Sequence, residues 1–144
     1  MYLLDTDTYS NLLRGNRFIE RRFFQVPPGS VYLCAITPEE MLRGRLDAIN
    51  QVRSKGEEGL PVTYDYLMDL VRELNRVSIL RYDDDAIRLF RAFPASVKRA
   101  GSQDCRIAAV AQANNFIVIT SNTAHFAKIG VAHEDWNLPD GGLA

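Results

Sequence analysis

Met1-Tyr2-Leu3-Leu4-Asp5-Thr6-Asp7-Thr8-Tyr9 is the stretch on which the reading of this chain turns. A short apolar run ends in a carboxylate, and helix-forming sequence follows at once, with Leu12 and Leu13 on its apolar side. A buried strand that delivers an acid to its own carboxyl end places that acid where open α/β sheets do their chemistry. Asp and Thr are also ordinary helix N-caps, and a strand-to-helix turn needs one. On this stretch alone a cap explains Asp5 sufficiently; any further role depends on what else in the chain meets it.

Outward from that stretch the same pattern recurs. Phe18-Ile19-Glu20-Arg21-Arg22-Phe23-Phe24 reads as a helix, with Arg14, Arg17, Arg21 and Arg22 largely on the side away from the aromatics. After the break Val26-Pro27-Pro28-Gly29-Ser30, the run from Ser30 to Ile36 is continuously apolar, as in a strand buried on both faces. Thr37-Pro38-Glu39-Glu40 has the form of a capping box opening a helix through Arg53. A polar loop over 54–59 leads to a second helix, Tyr64 to Asn75. Val77 to Tyr82 is a third strand, and one of Asp83, Asp84 or Asp85 caps a helix to about Phe93. Pro94 to Gly101 reads as a loop, and Ser102-Gln103-Asp104 opens a helix to Asn114. Ala108, Ala109, Ala111 and Ala113 let that helix lie close against a sheet. Phe116 to Thr120 is the fourth strand, Ser121 to Phe126 turns into a short helix, and Val131 and Trp136 flank a last edge strand. Strands alternating with helices predict an α/β class: three layers, a mainly parallel central sheet flanked by helices, one domain over 1–138 and a flexible tail over 139–144.

A chain of 144 residues suits one domain with a real core. With 17 Lys and Arg against 18 Asp and Glu, no global basic excess advertises nucleic-acid binding, so such a role needs a local patch. Cys34 and Cys105 are too few and too far apart for a disulfide framework or zinc site, and His125 and His133 have no partner at ligand spacing. No apolar run approaches the ~20 residues that span a membrane, and no signal-peptide layout precedes the opening strand, so a cytoplasmic location is expected. No glycine lies between that strand and its helix, which argues against a phosphate-cradling loop and a nucleotide-binding role.

The acids share one kind of position. Asp5 follows the first strand, Glu40 begins the helix after the second, Asp104 opens the Ala-rich helix, and Asn122 follows the fourth strand. In a parallel sheet those strand ends lie on one edge. Carboxylates converging there repel one another and rise in pKa unless a cation sits between them. Hard oxygen ligands suit Mg²⁺ or Mn²⁺, which can activate a water and stabilise a phosphodiester transition state. Each residue also has a sufficient structural role: Glu40 in the capping box, Asp104 on a helix dipole, Asn122 in a turn.

Four blocks in order, Leu3-Leu4-Asp5-Thr6-Asp7, Ala35-Ile36-Thr37-Pro38-Glu39-Glu40-Met41-Leu42-Arg43-Gly44, Asp104-Cys105-Arg106-Ile107-Ala108-Ala109-Val110-Ala111 and Ile119-Thr120-Ser121-Asn122-Thr123-Ala124-His125-Phe126, resemble the signature blocks of the PIN domain. The form is that of VapC-type toxins of bacterial toxin–antitoxin pairs, and the likeness covers nearly the whole chain, including Asp135-Trp136. The resemblance implies a Mg²⁺- or Mn²⁺-dependent ribonuclease cutting tRNA or another structured RNA. Asp5, Glu40 (rather than Glu39) and Asp104 would be its metal-binding and catalytic acids, with Asn122 at the fourth acidic position. Thr6, Thr120 and Asn122 would orient water and phosphate. It also implies a cognate antitoxin, a homodimer, DNA contact only through the antitoxin, and no membrane. His125 stands where many relatives carry another acid, so the alternative is a PIN scaffold with weak or no cleavage, binding within a DNA-bound repressor complex. Arg14, Arg17, Lys98, Arg99 and Arg106 are candidates for RNA phosphate contact or for a solvated helix face, Arg106 foremost. Phe18, Ile19, Phe23 and Phe24 are either core or the lining of a groove for an antitoxin segment.

Overall fold

A computed structural model describes residues 1–139; of the expected tail, residues 140–144 lie outside the described residues. The strands are β1 (Tyr2–Leu4), β2 (Val31–Cys34), β3 (Ser78–Leu80), β4 (Ile117–Ile119) and β5 (His133–Glu134). Among the described residues there are eight helices: α1 (Thr6–Leu13), α2 (Arg17–Gln25), α3 (Ile36–Arg53), α4 (Leu60–Leu74), α5 (Asp84–Ala92), α6 (Ala95–Ala100), α7 (Ser102–Asn114) and α8 (Thr123–Ile129). The strands form one sheet in the order β3-β2-β1-β4-β5, and every pairing is parallel. From β1 the chain builds outward through β2 to β3 and then returns to β1's other side as β4. The order therefore reverses between β1 and β4, the place where such sheets open a crevice beyond their carboxyl ends.

Both faces of the sheet are covered, which is why its strands read as unbroken apolar runs. Strand alternation sends Leu3, Cys34 and Val118 to one face, under the buried side of α7 with Ala86 of α5 and Phe126 and Ile129 of α8. Leu4, Leu33 and Ile119 face the other way, against Tyr9, Ile19, Val26 and Trp136. Ala108, Ala109 and Ala111 are fully buried, so the small side chains of α7 do what their size permits and bring the helix onto the sheet. Trp136 is also fully buried; its indole N–H donates to Glu134 Oε2 at 3.0 Å, and its ring meets Tyr2 edge-on at 5.1 Å. No helix among the described residues is long and apolar enough to cross a membrane.

Local expectations fail in three places, and at α2 two alternatives divide between residues. The capping box at Thr37 does not form: α3 starts at Ile36, Ala35 takes the cap position without a side-chain bond, and Thr37 lies fully buried inside the helix. Its hydroxyl is drawn to Thr6 across the packed helices instead of to its own backbone. Pro94 to Gly101 is not a loop, because α6 occupies most of it, with Pro94 at its cap. Helix α4 begins at Leu60, ahead of Tyr64, since Pro61 suits a first helical turn. The aromatic cluster of α2 divides: Ile19 enters the core, whereas Phe24 is 81% exposed.

Candidate active site

Asp5 leaves β1 still in the sheet's ladder, its N–H donating to the carbonyl of Ile119 at 3.0 Å. The side chain is 5% exposed, and its Oδ1 accepts the Thr8 N–H at 2.8 Å, so Asp5 is the N-cap of α1. Cap and pocket residue are therefore one group. Burial pushes its carboxyl above the usual carboxylate range; hydrogen bonds from Thr120 and Thr8 pull the other way, and the nearby charge of Asp7 raises it further.

Glu40, on α3, accepts the Thr6 hydroxyl at 2.7 Å. That hydroxyl has one proton, so the 3.0 Å contact between Thr6 and Thr37 must be donated by Thr37. Burial raises the Glu40 carboxyl, the Thr6 bond opposes this, and repulsion from Asp104, Asp7 and Glu39 adds to it. Repulsion from Asp104 shows that acids of α3 and α7 look into one space. Glu39 faces elsewhere, held by Arg43 at 2.8 Å and Gln103 at 2.9 Å.

Asp104 sits in the first turn of α7, with its Oδ2 3.1 Å from both the Asn122 amide nitrogen and His125 Nδ1. The other ring nitrogen of His125 lies 3.2 Å from the carbonyl of Val97 on α6. Asn122 stands at the cap position of α8, and its N–H donates to the hydroxyl of the fully buried Thr120 at 2.9 Å. Asp5, Glu40, Asp104 and Asn122 thus gather at the β1/β4 crevice, with Thr6 and Thr120 among them.

Whether these groups fit a metal ion follows from their charge and donor chemistry. Among the described residues, no three Asp, Glu, His or Cys side chains lie close enough to cage a metal. Each acid is instead held by a protein donor. The ion pairs formed among the described residues leave Asp5 and Glu40 without a cationic partner, and Asp104 meets only His125. A buried Asp5 and half-buried Glu40 and Asp104, the last repelling Glu40, with neighbouring hydroxyls make an oxygen-rich environment of unbalanced negative charge, which fits a hard divalent cation.

The basic candidates are scattered. Arg14 follows the far end of α1, roughly 13–14 Å along the axis from the Asp5 cap at about 1.5 Å per residue, and Arg17 stacks on Phe18 at 4.9 Å. Neither is brought to the acids. Arg106 turns onto Phe90 of α5, its guanidinium 4.5 Å from the ring centre, with Gln103 at 3.0 Å. Lys98 rests 5.4 Å from the same ring and donates to the Arg91 carbonyl, while Arg99 is exposed on α6 next to it. Sequence reasoning missed Thr37, Val97 and Gly101 as neighbours of the site. Only the fixed-spacing Thr6/Thr37 pair lay in blocks already singled out; the Val97 carbonyl has no sequence signal.

One expected result arises here. Thr6→Val keeps the shape but leaves Glu40 without its donor and Thr37 without its acceptor. Equilibrium unfolding in urea should show a loss of roughly 1–2 kcal/mol, and Thr6→Ser should recover most of it.

The sequence profile of the PIN domain matches residues 2–132. No curated protein matches the chain. Among solved structures, the FitAB assembly bound to the IR36 DNA fragment is similar at 25% identity and TM-score 0.72, over 96% of each chain. VapBC-1 from nontypeable Haemophilus influenzae is similar at 22% identity and TM-score 0.70, over 95% of this chain and 98% of that one. DNA-bound VapBC from Salmonella typhimurium is similar at 23% identity and TM-score 0.67, over 94% and 97% respectively.

Proposed function

This chain belongs to the PIN-domain family, and from that premise we propose that it is a Mg²⁺- or Mn²⁺-dependent endoribonuclease toxin restrained by a cognate antitoxin. PIN domains are generally nucleases that use divalent metal ions. The observation that carries the reading is the placement of Asp5, Glu40 and Asp104 at the β1/β4 crevice, where burial raises Asp5 and burial together with the charge of Asp104 raises Glu40.

Asp5 and Asp104 would hold the ion, with Glu40 as a further ligand or as base. Such an ion polarises a phosphoryl oxygen and makes a bound water more acidic. Glu40 is suited to taking the proton of an attacking water, because its raised carboxyl is a stronger base than an exposed one. The Thr6 hydroxyl fixes its Oε1, so Oε2 would be the oxygen that takes the proton. Thr120 steadies both Asp5 and the Asn122 turn. Lys98, Arg99 and Arg106 are the RNA-phosphate candidates on the α5–α7 side; tRNA or another structured RNA is the substrate class.

The antitoxin reading has its own support. A groove of about 580 Å³ is lined by Leu12, Leu13, Phe23, Phe24, Pro28 and Val77, among others. It is apolar, and Phe24 at 81% exposure lacks cover. An apolar antitoxin segment would fill it, within a cytoplasmic homodimer that meets DNA through the antitoxin; FitAB and VapBC are two-component assemblies, some bound to DNA. A second reading, a PIN scaffold that binds but cleaves weakly or not at all, is favoured by His125 and Asn122 both occupying Asp104 Oδ2.

Incubating purified protein with total tRNA, with and without Mg²⁺, separates the two. Discrete fragments that vanish with chelator and in Asp104→Ala support the enzyme. No cut under any metal condition leaves the binding scaffold.

A further inference from the structure

Two helices turn cations onto one aromatic ring of a third. Phe90 of α5 is packed against the core, so its ring is a fixed platform. Arg106 of α7 sets its guanidinium 4.5 Å from the ring centre, and Lys98 of α6 sets its ammonium 5.4 Å from it. Two like charges brought so near repel each other; attraction to the ring offsets that cost. Lys98 Nζ also donates to the Arg91 carbonyl at 3.2 Å, which ties α6 to the end of α5. Arg91 itself is exposed, and its charge and that of Arg106 act on one phenol: burial pushes the Tyr82 hydroxyl up, and the two guanidinium groups pull it back. Exposed Arg99 follows Lys98 on α6. Among the described residues none of these four cations is ion-paired, whereas Arg43, Arg72, Arg76 and Arg88 each meet an acid on their own helix.

The strip starts at the crevice. Gln103, the residue before Asp104, accepts from Arg106 at 3.0 Å and donates to Glu39 at 2.9 Å, and Glu39 precedes Glu40. Arg106 is thereby tied to both helices that carry these acids, while its guanidinium lies on α5. The acids repel a polyanion, and the whole chain carries a net charge of −1. Affinity for nucleic acid must therefore come from a local cluster of cations. Cations interleaved with aromatic rings are the composition of surfaces that follow a single strand.

We propose that Arg91, Lys98, Arg99 and Arg106 form a metal-independent binding strip for the backbone of single-stranded RNA leading into the crevice, with Phe90 as the positioning residue that seats Lys98 and Arg106. The choice of RNA rests on the reading of the crevice as a ribonuclease site; the separation of binding from metal does not. The test is fluorescence anisotropy of a labelled single-stranded RNA with the full chain in chelator, over a series of salt concentrations. Saturable binding should appear without metal. The slope of log affinity against log salt should shrink by about 0.7 for each of Arg91→Gln, Lys98→Gln and Arg106→Gln. Arg72→Gln and Arg76→Gln, on α4, should leave it unchanged. Phe90→Leu keeps every charge and an apolar side chain, and should weaken binding about fivefold, the scale of one cation–π contact. If circular dichroism shows Phe90→Leu unfolded, the three glutamine variants of the strip decide. No binding in chelator, unchanged slopes in those three, or stronger competition by duplex DNA or polyglutamate than by unlabelled RNA would overturn the strip. Binding as expected with no cleavage under any metal condition would keep the strip and remove the enzyme. Metal-dependent cleavage with wild-type slopes in the strip variants would do the reverse.

Discussion

Asp5→Asn should lower metal-dependent RNA cleavage by at least about 10²-fold, the scale seen when one group that stabilises transition-state charge is removed, while the protein stays folded and becomes more heat-stable at neutral pH. The fold survives because Asn caps a helix as well as Asp does, and the Thr8 N–H keeps its acceptor. The gain in stability follows from the sign of the shift. Burial raises the Asp5 carboxyl in the folded state, so between the ordinary carboxylate range and that raised value the native protein binds more protons than the unfolded chain. Wild-type stability must then fall as pH rises through that window. Glu40 is raised as well and contributes with the same sign. In chelator, the melting temperature of the wild type should decline from mildly acid to neutral pH. Asp5→Asn should flatten part of that decline, and Mg²⁺ should offset it in the wild type but less in the variant. An Asp5→Asn protein that cleaves at the wild-type rate would show that the chemistry lies elsewhere.

Trp136→Ala should cost about 3–5 kcal/mol in equilibrium urea unfolding, the usual range for emptying a buried aromatic site. That is a large share of the ~5–15 kcal/mol that holds a typical domain together. The ring is fully buried among Leu4, Ile19 and Ile119, stands edge-on to Tyr2, and lies 5.8 Å from the Arg22 guanidinium. Its loss would open a cavity against the central strand and free Glu134 Oε2 from its donor. Phenylalanine should retain most of the stability, giving up chiefly the indole hydrogen bond. Indistinguishable midpoints for Trp136→Ala and wild type would mean that the segment after β5 is dispensable for packing.

What the sequence made legible divides along a physical line. Strand alternation and helix period are local and survive folding, so the sheet, the Ala-rich α7 and the edge strand between Val131 and Trp136 could be read directly. Glu40 over Glu39 was a motif inference; in the structure Glu39 turns out to Arg43 and Gln103, while Glu40 meets Thr6. The failures have more than one cause. Thr37 is a good cap by composition, yet its hydroxyl goes to Thr6, 31 positions away. Helix α6 hides in a Pro-to-Gly segment because its short length gives periodicity nothing to repeat. His125 was legible only as a departure from an acid; that its far side meets a carbonyl of α6 depends on how three helices pack.

The parallel pairing of β1 with β4 has a consequence for the order of events in the cell. Asp5 donates its N–H to Ile119, and the Thr8 hydroxyl reaches the carbonyl of the same residue across 111 positions. A nascent polypeptide that stops short of β4 holds Asp5 and Glu40 but has no partner strand for one side of β1 and no α8 to bring Asn122 and His125 to Asp104. With synthesis running at about 5–20 residues per second, the crevice closes only some seconds after Asp5 and Glu40 are made, once β4 and α8 have followed. Whatever this pocket does, a chain that stops short of β4 is born without it.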